Sequence, residues 1–305
     1  MKMKMGLKRK LIQIAAFGLS NLHAGNLGKG KIYTGTWKNF CNPGLHCYSC
    51  PAATTACPIG ALQAVTGSMK FDFSFYVVGF LLAVGVVLGR FVCGFLCPFG
   101  LVQDLLHKIP LPKLRLPRWM KYIKYVVLIV FVVLMPVVVV NIVGMGDPAF
   151  CKYICPSGML FGAIPLMSAD EALRGVAGNL FIWKSIVLAA VIIGSILIFR
   201  FFCKLLCPLG AIYGILNKVS LYSLRVDESK CIHCGKCSAV CLMDVNPVKA
   251  PNSAECIRCG ACREACPTGA ISIGFGLKKR EAVPEAAGCA GHCSGCGQNC
   301  PNAGK

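Results

Sequence analysis

Acidic side chains are scarce in this chain: 12 Asp and Glu stand against 32 Lys and Arg over 305 residues. Charged residues of either sign make up only 14%, whereas hydrophobic residues make up 56% and the mean hydropathy is +0.65. That balance excludes an ordinary soluble domain and points to a polytopic membrane protein. No dinucleotide fingerprint, phosphate-cradling Gly loop or nucleophile triad is present, which removes the enzyme classes that depend on them. No basic patch interleaved with aromatic residues occurs, so nucleic acid is not an expected partner.

Cysteine is the residue in excess, with 22 copies. This is too many for a cytosolic enzyme without metal, and a secreted disulfide framework would be short and polar. Most of these cysteines therefore read as iron ligands. The formal charge of +20 counts thiols as neutral. An oxidised Cys-ligated [4Fe–4S] centre carries about −2, so four or five of them would remove about 8 to 10 charges. The remaining basicity reports membrane topology.

The chain is organised around Arg90-Phe91-Val92-Cys93-Gly94-Phe95-Leu96-Cys97-Pro98-Phe99-Gly100, which follows an apolar run. It recurs as Arg200-Phe201-Phe202-Cys203-Lys204-Leu205-Leu206-Cys207-Pro208-Leu209-Gly210. Each copy ends a membrane-length segment in C-x-x-x-C-P-x-G. The spacing puts the two thiols of a copy about one helical turn apart, and the proline favours a chain break after them. Cys93, Cys97, Cys203 and Cys207 together supply four thiolates, enough for one [4Fe–4S] cluster at the inner membrane side.

Hydropathy places spans at about residues 11–27, 73–92, 121–143 and 180–199. Lys2, Lys4, Lys8, Arg9 and Lys10 precede the first. Lys108, Lys113, Arg115, Arg118, Lys121 and Lys124, against the single acid Asp104, fill the loop after the second. By the positive-inside rule both termini are cytoplasmic. Leu101 to His107 reads as a short interfacial helix. The expected fold is an α-helical membrane domain (1–222), a four-span bundle built from two duplicated hairpins. A small α+β two-cluster ferredoxin domain (223–278) and a Cys-rich tail (279–305) follow. The setting is the cytoplasmic membrane of a prokaryote, with lipid as a partner.

The ferredoxin segment carries the most specific signal. Cys231-x2-Cys234-x2-Cys237-x3-Cys241 is followed by Cys256-x2-Cys259-x2-Cys262-x3-Cys266-Pro267. In this run the fourth Cys of each motif ligates the other cluster. The expected sets are Cys231, Cys234, Cys237 and Cys266, and Cys256, Cys259, Cys262 and Cys241. On the external side the expected set is Cys50, Cys57, Cys151 and Cys155, with Cys41 and Cys47 as alternative ligands. In the rival arrangement Cys41, Cys47, Cys50 and Cys57 form a cluster, leaving Cys151 and Cys155 over or disulfide-bonded. Cys289, Cys293, Cys296 and Cys300 in the tail offer a further cluster or zinc site. His233 reads as tuning the first ferredoxin motif. His46 and His107 have surface-polar roles or touch a quinone.

At these residues the chain resembles the NapH/NosR/MauN-type membrane ferredoxins, over about residues 8–275. The resemblance implies electron transfer between the quinone pool or cytoplasmic donors and extracytoplasmic redox partners. The expected function is transmembrane electron transfer through four or five [4Fe–4S] clusters. Electrons pass from a cytoplasmic donor to an extracytoplasmic flavoprotein, cytochrome or reductase, or in reverse. The alternatives are a NapH-like quinol dehydrogenase, with a quinone as additional cofactor, and a membrane redox sensor. A homodimer or larger redox complex is compatible with either.

Overall fold

The computed structural model describes residues 5–68, 74–140, 145–175 and 178–276. The tail residues Cys289, Cys293, Cys296 and Cys300 lie outside the described residues. Helices dominate: α1 (Met5–Ser20), α2 (Pro58–Gly67), α3 (Phe75–Leu88), α4 (Phe91–Phe95), α5 (Pro98–Leu106) and α6 (Trp119–Val138). Then come α7 (156–169), α8 (Asn179–Leu197), α9 (Phe201–Leu205) and α10 (Pro208–Leu216).

Four helices open identically, and the sequence dictates why. Cys57, Cys97, Cys155 and Cys207 each sit before a proline at the first helical position, in extended conformation with φ between −68° and −80° and ψ between 109° and 125°. Proline fits there because its φ is preset and its missing N–H is not needed, and it drives the preceding residue out of the helical region. The two cysteines of each C-x-x-x-C unit therefore do not share a helix, as a one-turn spacing would have them. Cys93 lies in α4 and Cys97 caps α5; Cys203 lies in α9 and Cys207 caps α10.

Two helices, Trp119–Val138 and Asn179–Leu197, are long and apolar enough to cross a membrane by length and composition. The span expected at 73–92 is shorter. Gly89, at φ +55°, ends α3 after 14 residues, about 21 Å of helix against ~30 Å of hydrocarbon. The run at 11–27 is α-helical only to Ser20, with a separate 3-10 turn at Ala24–Asn26, and its Gln13 is buried against the Asp104 carboxylate. Asp104 is thus not a surface acid of a loop. It lies on the buried face of α5, held bidentately by Arg200 at 2.8 Å on each oxygen and by Arg9 at 3.1 Å.

The C-terminal part adds β1 (Tyr222–Val226), α11 (Lys236–Ala239), α12 (Ala261–Ala265) and β2 (Ile271–Phe275). The strands pair antiparallel with Leu224 opposite Ile273. This unit is seated firmly on the helical part. Glu255 receives Arg90 at 2.8 Å and also pairs with the fully buried Lys124. Arg258 donates to the carbonyls of Leu88 (2.9 Å) and Asn217 (2.8 Å). Asn217 donates to the carbonyls of Ser253 and Cys256. A side chain at Gly94 would come within 2.6 Å of the Ile257 carbonyl, so only glycine admits this approach.

Replacing Glu255 by Gln strands two buried cations and should cost about 3–5 kcal/mol. Limited proteolysis should then release the 222–276 segment, and unchanged protease resistance would refute the docking role. Burial alone would raise the Glu255 carboxyl, but Arg90 and Lys124 hold it below its ordinary value. A depressed folded-state value means the stabilisation is complete above the unfolded Glu pKa of about 4.3 and is lost as pH falls through the folded value. Protease resistance of the native protein should follow that course.

Candidate metal centres

Four groups of thiols are built by these elements. The first lies at the ends of α4 and α9. Cys93, Cys97, Cys203 and Cys207 are all buried, and burial together with neighbouring members of the set pushes the Cys97, Cys203 and Cys207 thiols up. Burial and the neighbouring Cys203 and Cys93 push the Cys97 thiol up to about 12. The Cys97 and Cys207 thiols sit at helix N-termini, whose partial positive charge favours thiolate. Gly210 N–H donates to the Cys207 Sγ at 3.3 Å.

Around this group the two copies of the repeat exchange arginines. Arg90, at the head of the first, donates to the carbonyl of Cys203 at 3.2 Å. Arg200, at the head of the second, donates to the carbonyl of Cys93. Arg90, Arg200 and Lys124 are fully buried. Four cations (Arg9, Arg90, Lys124, Arg200) share two carboxylates, Asp104 and Glu255, leaving a net charge of +2 beside the thiols. Uncompensated buried charge is costly. An oxidised cluster of about −2 on four thiolates fits that need. The sequence displayed both arginines in the repeat, but not that each serves the other copy.

The second group differs from the expected one. Cys47, Cys57, Cys151 and Cys155 line one cavity of about 770 Å³. Cys50 does not line it. A tight turn, closed by Cys50 N–H on the Cys47 carbonyl at 3.2 Å, carries the Cys50 thiol toward Asn21. Cys47 instead packs on a face of α7 that lacks side chains, where a Cβ at Gly162 would stand 3.4 Å from its Sγ. Cys41 is buried but is also outside the cavity lining. Cys151 and Cys155 are unbonded thiols, and no disulfide occurs among the described residues. Gln63 donates to the Cys151 Sγ at 3.1 Å, as Gln103 does to the Cys203 Sγ at 3.1 Å. Sequence reasoning missed both, although C-P-x-G-x-x-Q recurs at Cys57–Gln63 and Cys97–Gln103.

The cavity also receives His46, Ser157 and Lys184. His46 and Ser157 are fully buried, and neither His46 ring nitrogen nor the Ser157 hydroxyl has a hydrogen-bond partner. Burial lowers His46 to about 4, so its imidazole is neutral. His46 is thus no surface residue. His107 is half-buried and stacks edge-on to Phe199.

The last two groups lie in the C-terminal unit. Cys231, Cys234, Cys237 and Cys266 line a cavity of about 30 Å³. Cys262 is pushed up to about 12 by burial and by Cys256, Cys259 and Cys241. Their loops share one backbone: His233 and Arg258 hold φ +49° and +53°, and Gly235 and Gly260 follow at +72° and +82°. Such alternation aims successive N–H groups into a concavity that suits an anion, Fe–S sites included. Among the described residues no three His, Cys, Asp or Glu side chains converge on a single metal ion.

The groups adjoin in series, beginning with Cys237 and Cys262 of the two ferredoxin motifs, which share one packed cluster. The carbonyl of Ile257, the residue after Cys256, lies on Gly94, between Cys93 and Cys97. Leu45 N–H reaches the Cys97 thiol, and Gly44 lies so close that a Cβ there would be 2.6 Å from the Cys97 Cα. Cys47 is two residues on from Leu45, at most about 7 Å along the chain.

The placement of the second group makes a direct prediction. Cys47→Ser should remove about four iron atoms per chain and Cys50→Ser none, by iron analysis of anaerobically purified protein. The reverse result would restore Cys50 as the ligand.

A family model described as a 4Fe-4S binding domain matches residues 73–117, 126–166 and 180–225, and another of the same description matches 250–272. The recurring unit is thus a helix followed by C-x-x-x-C-P, matched three times. The uncharacterized protein MJ0750 of Methanocaldococcus jannaschii is 29% identical over 66% of this chain and 78% of its own length. YccM of Escherichia coli, named as an electron transport protein, is 26% identical over 67% of this chain and 56% of its own. The methylamine utilization ferredoxin-type protein MauN of Paracoccus denitrificans is 25% identical over 59% of this chain and 55% of its own. The chain thus spans little more than half the length of the last two. No solved structure matches. With a 4Fe-4S binding domain matched three times, a ferredoxin-type motif after it and relatives named as electron transport and ferredoxin-type proteins, the chain belongs to the 4Fe–4S ferredoxin-type membrane proteins.

Proposed function

We propose that this protein carries electrons across the cytoplasmic membrane of a prokaryote through four [4Fe–4S] clusters. The ligand sets are Cys231/Cys234/Cys237/Cys266, Cys241/Cys256/Cys259/Cys262, Cys93/Cys97/Cys203/Cys207 and Cys47/Cys57/Cys151/Cys155. Each cluster supplies one-electron transfer when bound. The route runs in that order, from a cytoplasmic donor to an extracytoplasmic flavoprotein, cytochrome or reductase. Four spans with both termini inside put the ferredoxin unit on the donor side. The shorter α1 and α3 then cross together with the loops that follow them.

The serial arrangement of the four thiol groups carries this reading. Tunnelling falls exponentially with distance, so a single hop over ~30 Å of hydrocarbon would be slow. Here Ile257 touches the Cys93/Cys97 segment, and Leu45 links Cys97 toward Cys47. The protein's part is to hold the thiols at helix ends, exclude water and supply fixed counter-charge.

A second reading has one observation in its favour. The 770 Å³ cavity brings neutral His46, Ser157 and Lys184 to the Cys47 group. A quinone could be met there by a proton acceptor and two donors, as a quinol dehydrogenase would need.

Iron and acid-labile sulfide per chain test the proposal. About 16 or more iron atoms per chain are expected, four per group. About 8 would leave only the ferredoxin unit loaded and end the transmembrane route. Reduction of the clusters by a quinol, lost in His46→Leu, would select the second reading.

A further inference from the structure

Gln63 and Gln103 make the same set of bonds in two different places. Gln63 lies six residues after Cys57 on α2, and Gln103 six residues after Cys97 on α5. Both are fully buried. The Gln63 Oε1 accepts the Phe150 N–H at 3.0 Å, and the Gln103 Oε1 accepts the Phe202 N–H at 3.1 Å. Those amides precede Cys151 and Cys203. With Oε1 so engaged, the orientation of each side-chain amide is settled, and Nε2 must face the sulfur. One donor then goes to the Cys151 or Cys203 Sγ at 3.1 Å, and the other to the carbonyl four residues back, Ile59 or Phe99.

The bonded cysteine never belongs to the glutamine's own Cys-Pro helix. Gln63 reaches from α2 to the segment before α7, and Gln103 from α5 to α9. The equivalent positions after Cys155 and Cys207 are Phe161, which has no donor, and Tyr213, whose hydroxyl donates to the Pro43 carbonyl at 3.0 Å. Each membrane-side group therefore has one glutamine acting on one thiol.

We propose that Gln63 and Gln103 are positioning residues that set the reduction potentials of the two membrane-side clusters independently, each through one N–H···S hydrogen bond. This rests on the reading that the two groups hold clusters. A donor to a ligand sulfur stabilises the more negative, reduced cluster more than the oxidised one, and so raises its potential. Low surrounding polarity strengthens the effect. A glutamine that merely satisfied the Phe150 or Phe202 amide would leave the potential alone.

The test is potentiometric EPR on the full chain, with the signals assigned by their loss in Cys203→Ser and Cys151→Ser. Gln103→Met should lower the potential of the Cys203 cluster and leave the Cys151 cluster unchanged; Gln63→Met should do the converse. Unchanged potentials with full iron overturn the proposal, as does a joint shift of both clusters in either variant. Where a Met variant loses iron, Gln→Asn at the same position keeps the amide and shortens its reach. It must lower the same single potential, and an unchanged value overturns the proposal. Wild-type protein with about 8 iron atoms per chain would instead sink the cluster reading itself.

Discussion

Placing four cationic side chains, three of them fully buried, beside four thiols is tolerable only if negative charge lies among them, and much of this molecule follows from that constraint. Asp104 and Glu255 answer half of the charge. The thiolates and the iron they are proposed to hold answer the rest. The same carboxylates tie distant parts of the chain together: Asp104 gathers α1, α5 and the head of α9, while Glu255 fastens the ferredoxin unit to Arg90 and to Lys124 of α6. Replacing either carboxylate therefore disturbs charge and architecture together.

The reciprocal arginines give the first group its local twofold character. Arg90 reaches Cys203, and Arg200 reaches Cys93. The copies differ in how the chain enters. Gly89, at φ +55° and ψ −139°, makes a glycine-only bend before Arg90, whereas Arg200 is itself left-handed at φ +53° and ψ +47°. A non-glycine residue in that region is disfavoured by about 1–3 kcal/mol, and the bidentate Asp104 bond offsets this. The Cys-Pro helix starts repeat the economy elsewhere, since one dipeptide both ends the incoming chain and points a helix N-terminus at a thiol.

Much of this was legible in the residues. The interleaved C-x2-C runs, the repeated R-F-x-C-x3-C-P and the apolar segments gave the family, the helical class and the first thiol group. What was hidden depends on contacts between distant segments. Nothing in the spacing of Cys41, Cys47, Cys50 and Cys57 says that Cys47 joins Cys151 and Cys155, because Gly158 and Gly162 admit it from another helix. Asp104 looked like a loop acid until Arg200, 96 residues on, reached it. Gln63 and Gln103 left a trace in C-P-x-G-x-x-Q, which a search confined to ligand residues passes over. The helices at 119–138 and 179–197 follow the hydropathy, whereas α3 is shorter than the apolar run at 73–92 because Gly89 stops it at a positive φ that hydropathy does not register.

Electrons are proposed to traverse the thiol groups in series from the ferredoxin unit to the Cys47 group. This route is tested most directly in sealed vesicles holding the full chain, with a membrane-impermeant reductant on the ferredoxin side and an impermeant one-electron acceptor on the other. Wild type should reduce the acceptor and Cys97→Ser should not, with the ferredoxin EPR signals intact. A fully iron-loaded protein that passes no electrons, or a Cys97→Ser protein that still does, would contradict it.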